Sequence, residues 1–129
     1  MAEKKTIFLI EDDLATMDVY KTVLEKAGFK VIPFFLGSEI IKKLKEIEKK
    51  EKPEVILLDL ILPDISGFKI LEEIRKNEAT KNIPVLILTN YSDSESRQKG
   101  LKLKTEKYLL KTDYTPSQLI KIIKDTLGR

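Results

Sequence analysis

Cysteine, histidine and tryptophan are all absent from this chain of 129 residues. Without cysteine the chain can form no disulfide, no thiolate metal site and no cysteine nucleophile. Without histidine it lacks the commonest general base and zinc ligand, and it cannot act as a phosphohistidine donor. Carboxylates, hydroxyls and lysines remain as the side chains available for chemistry.

Long apolar runs are missing as well. No stretch approaches the roughly 20 apolar residues of a membrane-spanning helix, and residues 1–6 are short, charged and not followed by a signal-peptide apolar core. Charge is nearly balanced, with 24 basic and 21 acidic residues. The Lys/Glu-rich stretch 42–52 lacks the aromatic residues that alternate with basic ones on nucleic-acid-binding surfaces, which indicates a solvated helix face. We expect a cytoplasmic protein with no direct contact to nucleic acid or membrane, folded as a single domain over residues 1–129.

Five short apolar runs alternate with five amphipathic segments. The runs, which predict strands, are 6–10, 30–34, 55–58, 85–88 and 107–110. The first predicted helix spans 14–27 and ends before Gly28, and the other four have N-cap signals at Ser38, Ser66, Ser92 and Thr115. Strict alternation of strands and helices with short connections predicts an α/β fold, a parallel sheet with helices on both faces.

Acidic, hydroxyl and basic side chains stand at the carboxyl ends of the predicted strands, where open α/β sheets bind ligands. They are Glu11, Asp12 and Asp13 after the first strand, Asp59 after the third, Thr89 after the fourth and Lys111 after the fifth. Converging carboxylates raise one another's pKa or need a counter-cation, and with oxygen ligands that cation is usually Mg²⁺. A lysine and a hydroxyl beside it suit phosphoryl transfer, with Asp59 attacking to give an acyl phosphate.

Four motifs at these strand ends resemble those of bacterial response-regulator receiver domains of the stand-alone type. They are residues 10–13 (IEDD), 57–67 (LLDLILPDISG), 86–90 (LILTN) and 108–111 (YLLK), and their order and spacing match over essentially the whole chain. The resemblance implies a flavodoxin-like doubly wound (βα)5 fold with sheet order 2-1-3-4-5. It also implies a Mg²⁺-dependent phosphoacceptor of a two-component phosphorelay, which is not an enzyme beyond catalysing its own phosphorylation and dephosphorylation.

The resemblance assigns metal binding to Glu11, Asp12, Asp59 and the backbone carbonyl of Ile61, with Mn²⁺ as a possible substitute for Mg²⁺. Which two of the three N-terminal acids bind the ion is decided by spacing: counting back from Gly28 favours the first two and leaves Asp13 as a helix N-cap.

The other roles also follow from the resemblance. Asp59 is implied as the phosphoacceptor and Lys111 as the lysine that binds the phosphoryl group. Thr89 is implied as the hydroxyl that senses the phosphoryl group, and Tyr108 as the aromatic whose rotamer follows it. For each of these residues a purely structural role is the alternative. That alternative is strongest for Tyr108, which would then be a static aromatic of the core.

Two bulky side chains flank the path by which water would attack the acyl phosphate. They are Ile61 and, two residues after Thr89, Tyr91. We therefore expect spontaneous dephosphorylation to be slow, because these side chains occlude and desolvate the phosphorus.

The sequence departs from the family pattern at three places. Thr112 stands where the family usually has proline after the lysine, so we expect a different loop shape or strain there. Lys104 and Thr105 stand where glycine and a small residue are usual, and Asn90, after Thr89, replaces a small residue and brings an amide within reach of the phosphoryl group.

Partners and alternative functions follow from the same resemblance. A sensor histidine kinase or histidine phosphotransfer protein is the expected donor, with Leu14 and Met17 in the first helix as its contacts. With no effector domain expected after Arg129, a downstream partner is expected on the face of the fourth predicted helix, fifth strand and fifth predicted helix. Three alternative functions are weaker. The departures favour a pseudo-receiver scaffold that binds partners without phosphorylation, but the intact acids, Thr89 and Lys111 argue against it. A flavodoxin would need a Ser/Thr/Gly-rich loop after strand one, where this chain has three acids, and a D-x-D phosphatase does not fit because Leu60 and Ile61 follow Asp59.

Overall fold

The computed structural model describes residues 4–90, 105 and 107–128. The strands are β1 (Thr6–Ile10), β2 (Lys30–Phe34), β3 (Val55–Leu58), β4 (Val85–Thr89) and β5 (Lys107–Leu110). The α-helices in this part of the chain are α1 (Leu14–Lys26), α2 (Gly37–Glu46), α3 (Gly67–Lys76) and α4 (Pro116–Leu127), with 3₁₀ turns at Lys49–Glu51 and Lys111–Asp113. The helix predicted to begin at Ser92 lies outside the described residues, so α4 corresponds to the fifth predicted helix.

All five strands are parallel and lie in the order β2-β1-β3-β4-β5, which confirms the predicted sheet. The register aligns their carboxyl ends: Ile10 pairs with both Phe34 and Leu58, and Thr89 pairs with Leu110. The residues that follow these positions are therefore gathered along one edge of the sheet.

Alternation of side chains along the strands builds a core on each face of the sheet. In β1, Ile7 and Leu9 face the cluster that includes buried residues of α1 and α4. Phe8 and Ile10 face the opposite cluster, which includes buried residues of α2 and α3. Helices thus cover both faces, and the continuously apolar run of β3 is fully buried between them. None of the helices described is both long enough and apolar enough to span a bilayer.

Most predicted helix ends are confirmed. Asp13 caps α1 and Gly28, at φ +100°, follows its last turn; Ser66 caps α3 and Thr115 caps α4. The prediction that Ser38 caps α2 is wrong, because α2 already begins at Gly37. The free N–H groups of this helix end are bound instead by side chains of Glu39 and Asp64.

Candidate functional site

Backbone hydrogen bonds between strands place Glu11 and Asp59 side by side. The N–H of Glu11 donates to the carbonyl of Phe34 at 3.0 Å, and the N–H of Asp59 donates to the carbonyl of Ile10 at 3.1 Å. Each bond continues the sheet one residue beyond its strand. The two residues are 3% and 6% exposed, and a buried carboxylate is stable as an anion only if it is paired or hydrogen-bonded.

Lys111 provides the positive partner for both acids. Its Nζ donates to Oε1 of Glu11 and, at 3.0 Å, to Oδ2 of Asp59. The remaining oxygens accept backbone hydrogen bonds: Oδ1 of Asp59 from the N–H of Ile61 at 3.1 Å, and Oε2 of Glu11 from the N–H of Asp13 at 3.0 Å. Both buried carboxylates therefore have a donor on each oxygen.

Burial and pairing shift the pKa of Glu11 and of Lys111. Burial raises the pKa of Glu11, and the hydrogen bonds from Lys111 and Asp13 offset only part of that effect. Burial alone would lower the pKa of Lys111, but its hydrogen bonds to Glu11 and Asp59 outweigh it, so the pKa is raised. The lysine accordingly carries its positive charge beside Asp59 at neutral pH.

The neighbouring acids Asp12 and Asp13 have different surroundings. Asp12 is exposed, and one of its carboxylate oxygens lies within 4.8 Å of an oxygen of Glu11 and of Asp59. Asp13 accepts hydrogen bonds from the hydroxyl of Thr16 at 2.7 Å and from its N–H at 2.8 Å, and these bonds lower the pKa of Asp13. The predicted N-cap role of Asp13 is thus confirmed, and the assignment of Glu11 and Asp12 to the metal stays a prediction.

The cluster of Glu11, Asp12 and Asp59 has the composition of a site for a divalent cation. Its ligand atoms are carboxylate oxygens, the type that Mg²⁺ and Mn²⁺ prefer. Against three carboxylates the neighbouring Lys111 supplies one positive charge, which leaves two negative charges for a cation to balance. The cleft over them has a volume of about 580 Å³, enough for a hydrated ion and a phosphoryl group. The donor set therefore fits the expected metal.

The other expected site residues are placed as follows. Thr89 is fully buried at the end of β4 and lines the cleft, and Ile61 lines it with its side chain 58% exposed. Tyr108 is half-buried and packs against the core on the α2 and α3 face, so it does not belong to the described cleft lining. Tyr91 lies outside the described residues.

Two expectations about the surroundings are corrected or clarified. Met17 is only 2% exposed and cannot serve as a partner contact, whereas Leu14 is 73% exposed. After β5, Lys111–Asp113 forms a 3₁₀ turn, and no peptide bond in the described residues is cis. Thr112 is thus accommodated in a helical turn, while Lys104 lies outside the described residues.

Two residues near the site were missed by sequence reasoning. Thr16 lines the cleft from the first turn of α1. It stands three residues after the helix cap Asp13, and this spacing could have identified it as the partner of the cap. Asp64 accepts hydrogen bonds from the N–H groups of Gly37 and Ser38 at the start of α2. No local signal identifies this contact, because the partners are 27 and 26 residues apart in the chain.

Comparison with known proteins identifies one family over most of the chain. The family model for the response regulator receiver domain matches residues 7–124. Regulatory protein VanRc of Enterococcus gallinarum is 34% identical over 129 residues, covering 100% of this chain and 52% of the relative. The chain spans about half the length of several such curated relatives.

Solved structures show the same similarity. A CheY-like response regulator receiver domain protein from Methanospirillum hungatei JF-1 superposes with a TM-score of 0.86 at 27% identity, covering 97% of this chain and 94% of that chain. The Mn²⁺-bound form of response regulator Rcp1 gives a TM-score of 0.80 at 28% identity, covering 94% and 92% of the two chains.

Proposed function

The chain belongs to the response-regulator receiver-domain family, and from that membership we propose that it accepts a phosphoryl group on Asp59, with Mg²⁺ bound, and changes partner binding as a result. The observation that carries the proposal is the convergence of three carboxylates and one lysine in a single cleft. Mn²⁺ is a chemically equivalent substitute at such a site.

In the proposed reaction Asp59 is the nucleophile. A carboxylate oxygen of Asp59 attacks the phosphorus of a phosphohistidine carried by a sensor histidine kinase or a histidine phosphotransfer protein. The O–P bond of an acyl phosphate forms, the P–N bond breaks, and its electron pair stays with the imidazole nitrogen. A carboxylate attacks directly and needs no base to remove a proton first.

The surrounding residues neutralise and orient charge during the transfer. Lys111, 3.0 Å from Asp59, is placed to follow the negative charge onto the phosphoryl oxygens. Glu11, Asp12, Asp59 and the carbonyl of Ile61 would hold the cation. When bound, Mg²⁺ supplies further charge neutralisation to the phosphoryl group.

The proposed switch runs along the pairing of β4 with β5. Thr89 is buried and lines the cleft, and its proposed role is to donate its hydroxyl to a phosphoryl oxygen. Thr89 pairs with Leu110, and Tyr108 lies two residues before Leu110 on the same strand. Movement of Thr89 toward the phosphoryl group would therefore be felt at Tyr108 on the neighbouring strand β5. The downstream partner is proposed to dock on β5, α4 and the segment that begins at Ser92.

Intact mass spectrometry after incubation with acetyl phosphate tests the proposal. With Mg²⁺ we expect a single phosphoryl adduct, formed as the P–O bond of acetyl phosphate breaks and acetate leaves. The adduct should be absent without Mg²⁺ and absent in Asp59→Ala. Asp18→Asn, which removes an exposed acid of α1 outside the metal-binding cluster, is the control and should still form it. An adduct that persists in Asp59→Ala contradicts the proposal.

A further inference from the structure

The chain from Asp59 to Gly67 forms a loop whose two ends are in contact. The N–H of Gly67 donates to the carbonyl of Leu60 at 3.0 Å. A Cβ at Gly67 would lie 2.5 Å from the Cα of Leu60 and 2.6 Å from the carbonyl oxygen of Asp59. Only glycine allows the two ends to approach so closely, and this contact is the first anchor of the loop.

The second anchor is the carboxylate of Asp64. Its Oδ1 accepts from the N–H of Gly37 at 2.8 Å and its Oδ2 from the N–H of Ser38 at 2.9 Å. These N–H groups belong to the first turn of α2, where a negative charge is favourable. The Ser38 and Gly37 hydrogen bonds lower the pKa of Asp64, so it remains charged over the neutral range.

The packing around Gly37 shows how closely loop and helix are joined. A Cβ at Gly37 would lie 2.8 Å from the Cβ of Ile65, the residue after Asp64. The start of α2 thus lies directly against the loop and is bound to it by two hydrogen bonds.

Ile61 lies between the two anchors, directly after Leu60 and three residues before Asp64. Ile61 is 58% exposed, so its side chain is not buried in the core. Its N–H is held by Oδ1 of Asp59. The far side of the loop is fastened by the hydrogen bonds of Asp64 and Gly67, so these contacts limit the directions that the Ile61 carbonyl can take.

We propose that Asp64 is a positioning residue for metal binding: by fastening the loop to the N-terminus of α2, it fixes the Ile61 carbonyl as a ligand. The inference rests on the proposed function, in which that carbonyl binds Mg²⁺. Because coupling between sites is reciprocal, binding of Mg²⁺ also tightens the contact between Asp64 and α2.

A matched pair of variants separates positioning from simple loss of stability. Asp64→Ala removes two hydrogen bonds from the start of α2, and Glu39→Ala removes two others, donated by Phe35 and Leu36 at 2.7 and 2.8 Å. Only the Asp64 bonds reach the loop. In a Mg²⁺ titration followed by ¹H–¹⁵N NMR, we expect Asp64→Ala to weaken binding by up to about tenfold, the lower end of the range for residues that support metal ligands.

In the same titration Glu39→Ala should bind Mg²⁺ as the wild type does, and Asp64→Asn, which keeps one acceptor oxygen, should recover part of the affinity. Equal weakening in Asp64→Ala and Glu39→Ala, or no weakening in Asp64→Ala, overturns the inference. Neither result contradicts the proposed function as long as the wild type binds Mg²⁺ and forms the phosphoryl adduct on Asp59.

Hydrogen exchange in the wild type gives a second test that needs no variant. The amides of Gly37 and Ser38 should exchange several-fold more slowly when Mg²⁺ is bound, although they do not contact the metal-binding cluster. Unchanged exchange at both amides, in a sample where the NMR titration shows saturation, overturns the reciprocal coupling and with it the positioning role. A wild type that shows no Mg²⁺ binding at all instead overturns the proposed function.

Discussion

At the scale of single residues, the lifetime of an acyl phosphate on Asp59 depends on access of water to the phosphorus. Ile61 presents an apolar side chain at the cleft, next to the acceptor and 58% exposed. Such a side chain occupies space and orders no attacking water, whereas an amide in its place can hydrogen-bond one.

Replacing Ile61 with asparagine should therefore shorten the lifetime of the phosphorylated protein. We expect Ile61→Asn to release phosphate about tenfold faster, which corresponds to a barrier lower by about 1.4 kcal/mol. The decay of the phosphorylated species is followed by mass spectrometry after removal of acetyl phosphate, with Tyr91→Ala in parallel. Leu14→Asn, at an exposed residue not among the described residues lining the cleft, is the control and should not change the rate. If neither Ile61→Asn nor Tyr91→Ala accelerates release, occlusion does not set the lifetime.

The positions of the charged residues were predictable from sequence for a physical reason. In a parallel sheet all carboxyl ends lie on one edge, so residues that directly follow β1, β3 and β5 must be neighbours there. That argument predicted the meeting of Glu11, Asp59 and Lys111. It did not predict which oxygens Lys111 binds, because this depends on side-chain rotamers and burial that no pattern in the chain encodes.

At the scale of elements, the ends of the described helices were predictable wherever the cap is local. Ser66 and Thr115 cap the helices they precede, and each signal lies within three residues of its partner. The start of α2 was misplaced because its N–H groups are bound by Asp64, far away in sequence. The strands were predicted to within a residue, because buried apolar runs define their length directly.

The closure of the loop at Gly67 can be tested by adding one methyl group. In Gly67→Ala the new Cβ meets the backbone of Leu60 and Asp59 at 2.5 and 2.6 Å, so part of the loop must shift. Although alanine favours helices, by about 1 kcal/mol over glycine, this clash involves backbone atoms that cannot rotate away. We expect a net destabilisation of about 1–3 kcal/mol, the usual effect of overpacking.

Urea denaturation followed by circular dichroism measures this change, with Gly128→Ala as the control. At Gly128 the added Cβ lies 3.2 Å from the carbonyl of Lys124 at the end of α4, which is a milder contact. Its effect should be much smaller. A Gly67→Ala variant as stable as the wild type would show that the loop ends can separate freely.

At the scale of the whole molecule, the cluster of Glu11, Asp12 and Asp59 opposes folding when no cation is bound. Glu11, Asp12 and Asp59 lie within 4.8 Å of one another, and Lys111 balances only one of their charges. Like charges at this distance repel, and folding brings them together from an unfolded chain in which they are far apart. A cation that binds only the folded chain reverses the sign of this contribution.

Thermal unfolding of Asp12→Asn, with and without Mg²⁺, should show this reversal. Without Mg²⁺ the variant should melt a few degrees above the wild type, because one repelling charge is gone and Asp12 is exposed and leaves no buried group without a partner. With Mg²⁺ in excess the wild type should gain stability as its site fills, while the variant gains little, so the order of the two melting temperatures inverts. Asp18→Asn, measured at the same ionic strength, controls for net charge and should follow the wild type in both conditions. Parallel shifts of wild type and Asp12→Asn on addition of Mg²⁺ would mean that the ion acts elsewhere, since a ligand can stabilise only through the residues that bind it.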